Sequence, residues 1–195
     1  MIVAVSYCAA IRTGKLHPVH REYHDAEYGF PIADDALLFE RLILEINQAG
    51  LSWETILKRK DGFRAAYDDF DIARVAGYGE ADIARLLADP RIIRNRLKIA
   101  AAIHNAQMVQ RMQQQQGSFR AWLDQRHPRP LADWVKTFRA EFRFTGGEIV
   151  NAFLMSTGYL EGAHDAECPV GIAIRALSPP WARSEVIVPL AATPL

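Results

Sequence analysis

The chain has 195 residues, half of them hydrophobic, which is enough apolar material for a sizeable core in one domain or two small ones. Its 23 Lys and Arg residues balance 23 Asp and Glu residues, so overall charge selects no partner, and two cysteines exclude a disulfide-built secreted scaffold. The opening MIVAVSYC has a short apolar run with no basic region before it, and no run approaches the roughly 20 residues of a membrane span. A soluble, cytoplasmic protein without a membrane partner is the expectation.

The first informative stretch, YCAAIRTGKLHPVHREYHDAEYGFP, holds Cys8 and His24 with His17 and His20 between them. Next comes DALLFERLILEINQA, residues 35–49, where Phe39, Leu42, Ile43 and Ile46 recur at helical spacing and Gly50 supplies a stop. Within it Glu45 borders strongly apolar surface, with Gln48 one turn on along the same side. Ser52 is placed to cap a following helix, Glu54 suits that helix's first turn, and Trp53 stands between them. A carboxylate at the rim of an apolar pocket beside an indole can hold a cationic or amino-bearing ring, by cation–π stacking and hydrogen bonding. The competing reading is a solvent-facing Glu and a core Trp.

Shorter helical patterns follow at 61–68, 71–76 and 80–88, then a longer one over 92–116 that ends at QQQQ before Gly117. At its start, in DPRIIRNRLKIAAAIHNA, the residues Arg91, Arg94 and Lys98 fall on one helical face with Arg96 nearby, just after Pro90. Such a turn with basic side chains can grip a phosphate, and Lys58-Arg59-Lys60 adds a second small basic cluster. A solvated charged face is the bland alternative. Further helices are expected at 118–126, 131–142 and 147–159.

Near the end, AHDAEC places His164 and Cys168 four residues apart, the spacing at which two ligands reach one point. Together with Cys8 and His24 they would complete a closed Cys₂His₂ metal set joining the two ends of the chain. The spacing leaves this open against a buried small Cys with surface histidines. No β alternation appears before EVIVPL, and the Pro/Ala-rich tail 178–195 is expected to be poorly ordered, which puts the domain at 1–177. The fold class expected is a compact all-α domain.

These residues resemble the 3-methyladenine DNA glycosylase I family, a zinc-containing branch of the helix-hairpin-helix glycosylases. The resemblance rests on YHDAEYGFP, LEINQAGLSWETILKRKDGFRAAY, IIRNRLKI followed by Asn105-Ala106, FTGGEIV and HDAEC, in that order from about Cys8 to Cys168. It implies a structural Zn²⁺ on Cys8, His24, His164 and Cys168. It also implies a base pocket with Glu45 as the carboxylate that meets an extruded alkylated adenine and Tyr23 and Trp53 as aromatic walls. Gln48, one turn on from Glu45, is the further substrate-binding candidate that helical spacing offers. A DNA-gripping hairpin then lies around 90–98, carrying Arg91, Arg94, Arg96 and Lys98. The implied partner is double-stranded DNA with alkylated bases, and the implied reaction is hydrolysis of the N-glycosidic bond of 3-methyladenine to leave an abasic site. No Schiff-base lysine stands out, so a monofunctional enzyme is expected, working as a monomer without an obligate protein partner.

Some positions depart from the family pattern. The interval from Cys8 to His24 is a few residues longer, which makes His17 or His20 rival ligands to His24. Ala10 stands where a Trp is usual, Tyr28 replaces a Trp, and Pro90-Arg91 occupies a hairpin where Gly suits close phosphate approach. Two rivals follow: a non-catalytic zinc-stabilised DNA-binding module on the same fold, and a zinc hydrolase, which needs an open metal position.

Overall fold

Helix α3 (Asp35–Gln48) is buried without a break from Leu38 to Asn47, on every face rather than along one stripe. Its apolar residues Leu38, Phe39, Leu42, Ile43, Leu44 and Ile46 cover nearly the whole circumference, which suits a helix at the centre of a domain. The Asp34 side chain starts it by accepting from the Leu37 N–H at 2.9 Å. At the other end Gly50, at φ +82°, turns the chain sharply into α4 (Trp53–Leu57), which Ser52 caps as the sequence suggests.

The rest of the chain wraps this helix, and the computed structural model describes residues 5–183. Before α3 come α1 (Tyr7–Arg12) and α2 (Pro18–Ala26), the second opened by a proline at its first position, where the missing N–H is harmless. After α4 follow α5 (Lys60–Ala66), a 3₁₀ turn at Asp68–Phe70, α6 (Ile72–Ala76), α7 (Glu80–Ala88) and the 21-residue α8 (Arg96–Gln116). Then come α9 (Phe119–Asp124), α10 (Leu131–Glu141), α11 (Gly147–Ser156) and α12 (Pro169–Ala176). Among the described residues there is no strand, so the all-α expectation holds, and no helix is long and apolar enough to cross a membrane.

Two boundaries need correction. The periodic run 92–116 is helical only from Arg96, because Asn95 is extended and caps the helix by accepting from the Leu97 and Lys98 N–H groups. Before it, Pro90 biases Asp89 away from helix, and the Asp89 carboxylate closes a local turn on the Arg91 N–H at 2.9 Å. Residues 89–95 are therefore a loop, and Arg91 and Arg94 do not share a helical face with Lys98. At the C-terminal end, residues 178–183 form part of the fold: Pro180 is buried in a second 3₁₀ turn, and the Trp181 N–H reaches the Gly158 carbonyl at 3.2 Å. The expectations for EVIVPL and for the tail over 184–195 lie outside the described residues.

Helix α8 packs on α6, α3 and α9, and Asn105, fully buried, ties it to the chain after α10. Its amide oxygen accepts from Arg143 N at 2.8 Å and its nitrogen donates to Arg143 O at 3.2 Å, so both ends of the side chain are satisfied. An aromatic layer of Phe119, Trp122, Trp134, Phe138, Phe142 and Phe153 fills the space between α9, α10 and α11.

One side chain links this layer to α3. The Asp35 carboxylate accepts from Phe119 N (2.8 Å), Arg120 N (3.0 Å) and the Gln113 amide (2.9 Å), satisfying the free N–H groups at the start of α9 that Ser118 does not reach. Replacing Asp35 by Ala strands these donors and is expected to lower the unfolding free energy by about 1.5–3 kcal/mol. Urea denaturation with an unchanged m-value would confirm it.

Candidate base pocket and metal centre

A cavity of about 480 Å³ opens beside the C-terminal half of α3. Glu45 and Gln48 reach it from α3, Trp53 from the first position of α4, Tyr23 and His20 from α2, Tyr7 and Ala10 from α1, and Tyr28 from the turn after α2. The four residues expected from sequence, Tyr23, Glu45, Gln48 and Trp53, thus converge on one space. Trp53 and Tyr23 meet edge-to-face with ring centroids 5.2 Å apart, and Tyr28 adjoins both Tyr23 (5.5 Å) and Tyr7 (5.6 Å). The pocket wall is therefore a connected aromatic surface with one carboxyl in it.

That carboxyl is 5% exposed. Burial pushes it up from the usual carboxylate range to about 7, while the Arg41 guanidinium and the Ser156 hydroxyl pull the other way. Near neutral pH Glu45 is poised between its two forms. A cation entering the cavity favours the carboxylate, and a neutral ligand does not. His20 is held by Tyr7, whose hydroxyl lies 2.9 Å from Nδ1, and burial lowers its proton affinity, so its imidazole is neutral at physiological pH. Tyr28 is pushed up to about 12 by burial, with the Glu45 charge adding to the effect, and it stays a phenol.

The four expected metal ligands also meet. Cys8, on α1, and Cys168, at the start of α12, stand with His24 of α2 and His164 of the 161–168 loop, all four ligating atoms within 4.8 Å of one another. The Sγ to ring-nitrogen distances are 3.3, 3.6, 3.6 and 3.7 Å. A tetrahedral ion with sulfur at about 2.3 Å and nitrogen at about 2.0–2.1 Å sets these edges near 3.5–3.6 Å, so the donors fit one. The outer ring nitrogens are engaged as such sites require: His24 Nδ1 with Asp25 Oδ1 at 2.7 Å, and His164 Nε2 with the Tyr28 carbonyl at 2.7 Å. The Asp165 N–H points at Cys8 Sγ from 3.3 Å. Of the rival ligands, His17 accepts from Val19 N to cap α2, and His20 lines the cavity, so the longer interval is absorbed between α1 and α2.

The basic set does not stay together. The Lys98 ammonium is buried and donates to the Asn47 and Ala49 carbonyls at 2.9 Å each, capping the C-terminus of α3, so it is withdrawn from any phosphate-binding role. Arg91 forks onto the Asp89 carboxylate and Arg96 pairs with Glu80. Arg94 is exposed and, among the described residues, makes no ion pair. Loop 89–95 is braced by Arg59, which donates to the Pro90 carbonyl at 2.7 Å, and Gly62 lies so close to Arg91 that an added Cβ would stand 2.7 Å from the Arg91 Cβ.

The family described as methyladenine glycosylase matches residues 13–139. The chain belongs to it. DNA-3-methyladenine glycosylase from Haemophilus influenzae is 30% identical, aligned over 77% of this chain and 91% of its own length. DNA-3-methyladenine glycosylase 1 of Escherichia coli K12 is 46% identical over 97 residues, a match spanning 50% of this chain and 52% of that protein. The solved structure of 3-methyladenine DNA glycosylase I from Staphylococcus aureus superposes with a TM-score of 0.76 at 33% identity, covering 86% of this chain and 97% of that one. A variant of 3-methyladenine DNA glycosylase I in complex with 3-methyladenine gives 0.75. The family match carries Tyr23, His24, Glu45, Gln48 and Trp53, whereas Cys8, His164 and Cys168 lie outside it and reach His24 through the fold.

Sequence reasoning missed Tyr7, Arg41 and Ser156 as neighbours of the pocket and Gly29 as the close contact between the turn after α2 and the His164 loop. Gly29, at φ +82°, sits where an added Cβ would stand 2.9 Å from Ala163 Cβ and 3.3 Å from the His164 ring. Gly29→Ala is expected to cost about 1–3 kcal/mol and to loosen both the metal cluster and the Tyr28 wall. Thermal denaturation in step with loss of retained metal checks this.

Proposed function

We infer that this chain is a base-excision glycosylase that takes 3-methyladenine out of alkylated double-stranded DNA and hydrolyses its N-glycosidic bond, leaving an abasic site. The observation that carries the reading is Glu45, a buried carboxyl in an aromatic cavity roomy enough for a purine, on a chain whose family and relatives bear that activity in their names. The target base must first leave the stack, at a cost of a few kcal/mol, and enter the cavity. Trp53 and Tyr23 stack on a cationic purine better than on a neutral one. Glu45 accepts from the exocyclic amine, and its charge complements that of the base.

Methylation at N3 makes the base a good leaving group. The C1′–N9 bond breaks with its electron pair going to N9, which neutralises the base. Water adds at C1′, and its proton passes to Glu45 or solvent. Little acid catalysis is required, so base recognition is the main duty of Glu45. Among the described residues the pocket lining holds no lysine, which supports a monofunctional hydrolase.

The metal is read as a structural Zn²⁺. Four protein ligands of mixed sulfur and nitrogen type leave no open position, which supports a role in folding and disfavours a zinc hydrolase. The α7–loop–α8 unit, with loop 89–95 between the helices, is read as the DNA-gripping hairpin, with Arg94 as its cation that has no ion pair among the described residues and Arg91 and Arg96 able to exchange their carboxylate partners for phosphate.

Two measurements test the reading. Methylated duplex DNA incubated with the wild type should release 3-methyladenine, seen by chromatography, and Glu45→Gln should reduce kcat/KM by about 10- to 100-fold, the worth of one charged hydrogen bond. A folded, metal-loaded wild type that frees no base would move the balance to the non-catalytic DNA-binding module. Separately, the purified protein should carry about one zinc per chain, and chelation should lower its melting temperature by several degrees before any activity is assayed. A chelated protein that melts unchanged would remove the structural role.

A further inference from the structure

Arg41 is a cation inside the core. It is 5% exposed, and it lies on α3 one turn before Glu45. An arginine there is tolerated only if its donors are taken up and its charge is opposed. Both conditions are met: the opposing charge comes from outside the base pocket, and the second acceptor is a residue of its wall. Nη2 donates to Glu27 Oε2 at 3.0 Å, and the other oxygen of Glu27 is held by the Lys60 ammonium. Nη1 donates to the Tyr23 hydroxyl at 2.8 Å, with the guanidinium carbon 4.8 Å from the Tyr23 ring centroid. The result is a string of alternating charge, Lys60–Glu27–Arg41–Glu45, running from a groove on one side of α3 to the base pocket on the other.

We propose that Arg41 is a positioning residue of the base pocket: anchored by Glu27 and Lys60, it fixes the Tyr23 hydroxyl and holds Glu45 as the carboxylate that receives the base. This deepens the glycosylase reading and rests on it for its activity readout. Because the Tyr23 oxygen accepts from Arg41, the phenol keeps its own proton free to donate, and the side chain cannot swing about its Cα–Cβ bond without breaking a buried charged hydrogen bond. Among the described residues the charged and titratable groups around Glu45 are few: Arg41 on its own helix, Tyr23 and Tyr28 from α2 and the turn after it, and His20 of α2 and Tyr7 of α1 across the cavity, while α11 contributes the Ser156 hydroxyl. Arg41 is the one permanent cation in that set, and it opposes the burial that would otherwise keep Glu45 protonated.

The test is the pH dependence of kcat/KM for base release by the full, metal-loaded chain. In Arg41→Met the acid limb should move up by about one pH unit or more, a loss of about tenfold on the acid side that fades as pH rises. Arg41→Lys should lie closer to the wild type, because the charge is kept. In Glu27→Gln the limb should move down, because Arg41 is then less opposed. A purely structural lesion cannot shift the two variants in opposite directions. The Glu45 carboxylate band, taken as the infrared difference between each protein and its Glu45→Gln counterpart, reads the same shifts without turnover. Limbs and bands that stay put, that move together, or that show a uniform loss at every pH overturn the proposal. A wild type that releases no base defeats the functional reading instead, while the infrared titration still decides the part played by Arg41. Should Arg41→Met not fold, Arg41→Lys and Glu27→Gln retain the comparison.

Discussion

A helix buried on every side admits polar groups only where each finds a partner, and α3 carries four in its buried span: Glu40, Arg41, Glu45 and Asn47. Three are settled by the protein itself. Glu40 takes Arg64 at 2.9 Å, Arg41 takes Glu27 and Tyr23, and the Asn47 amide returns to the Ile43 carbonyl at 2.8 Å. Of the four, Glu45 alone lines the aromatic cavity, whereas Glu40 and Arg41 border a separate groove together with their partners Arg64 and Glu27. The position of the candidate base-reading group is thus a consequence of how the core is built. Its displacement to about 7 corresponds to about 3 kcal/mol of disfavoured ionisation, which nothing but a ligand of the right charge can fully return.

The metal cluster bears on the same pocket from behind. Cys8 follows Tyr7, His24 follows Tyr23, and His164 holds the Tyr28 carbonyl, so three of the four ligands each fix a residue of the aromatic wall. The cluster also ties α1 and α2 to the loop before α12 across some 160 residues of chain, where a crosslink removes much freedom from the unfolded state. Short helices of six and nine residues cannot hold themselves, and this clamp supplies what their length does not.

Much of this was legible in the sequence, for local reasons. Helical periodicity with a glycine stop delimits α3, Ser52 caps the next helix, and the apolar neighbours of Glu45 mark it as a carboxyl set in a greasy surface. What failed to be legible depends on distant partners. The run 92–116 is continuously periodic, yet Asp89, Pro90 and Asn95 impose a loop on its first residues by turn chemistry that periodicity does not register. Lys98 reads as a phosphate ligand by its neighbours along the chain, but its ammonium is spent on carbonyls some 50 residues away. Arg41 went unread because its hydrogen-bond partners Tyr23 and Glu27 lie in and just after α2, which only the fold brings beside α3.

A cationic guanidinium near a pocket for a cationic base is a poor arrangement unless its charge is opposed from behind. Glu27 and Lys60 alternate behind Arg41, so the cation is opposed on the side away from the cavity, and the charge left facing the ligand is the one on Glu45. On the proposed reading this sets the discrimination. Adenine and 3-methyladenine differ little in shape, and both can lie against the aromatic wall that Trp53 and Tyr23 form. Only the methylated base brings a positive charge that repays Glu45 for giving up water. That single contact works on the base already out of the stack, where shape alone has little left to decide.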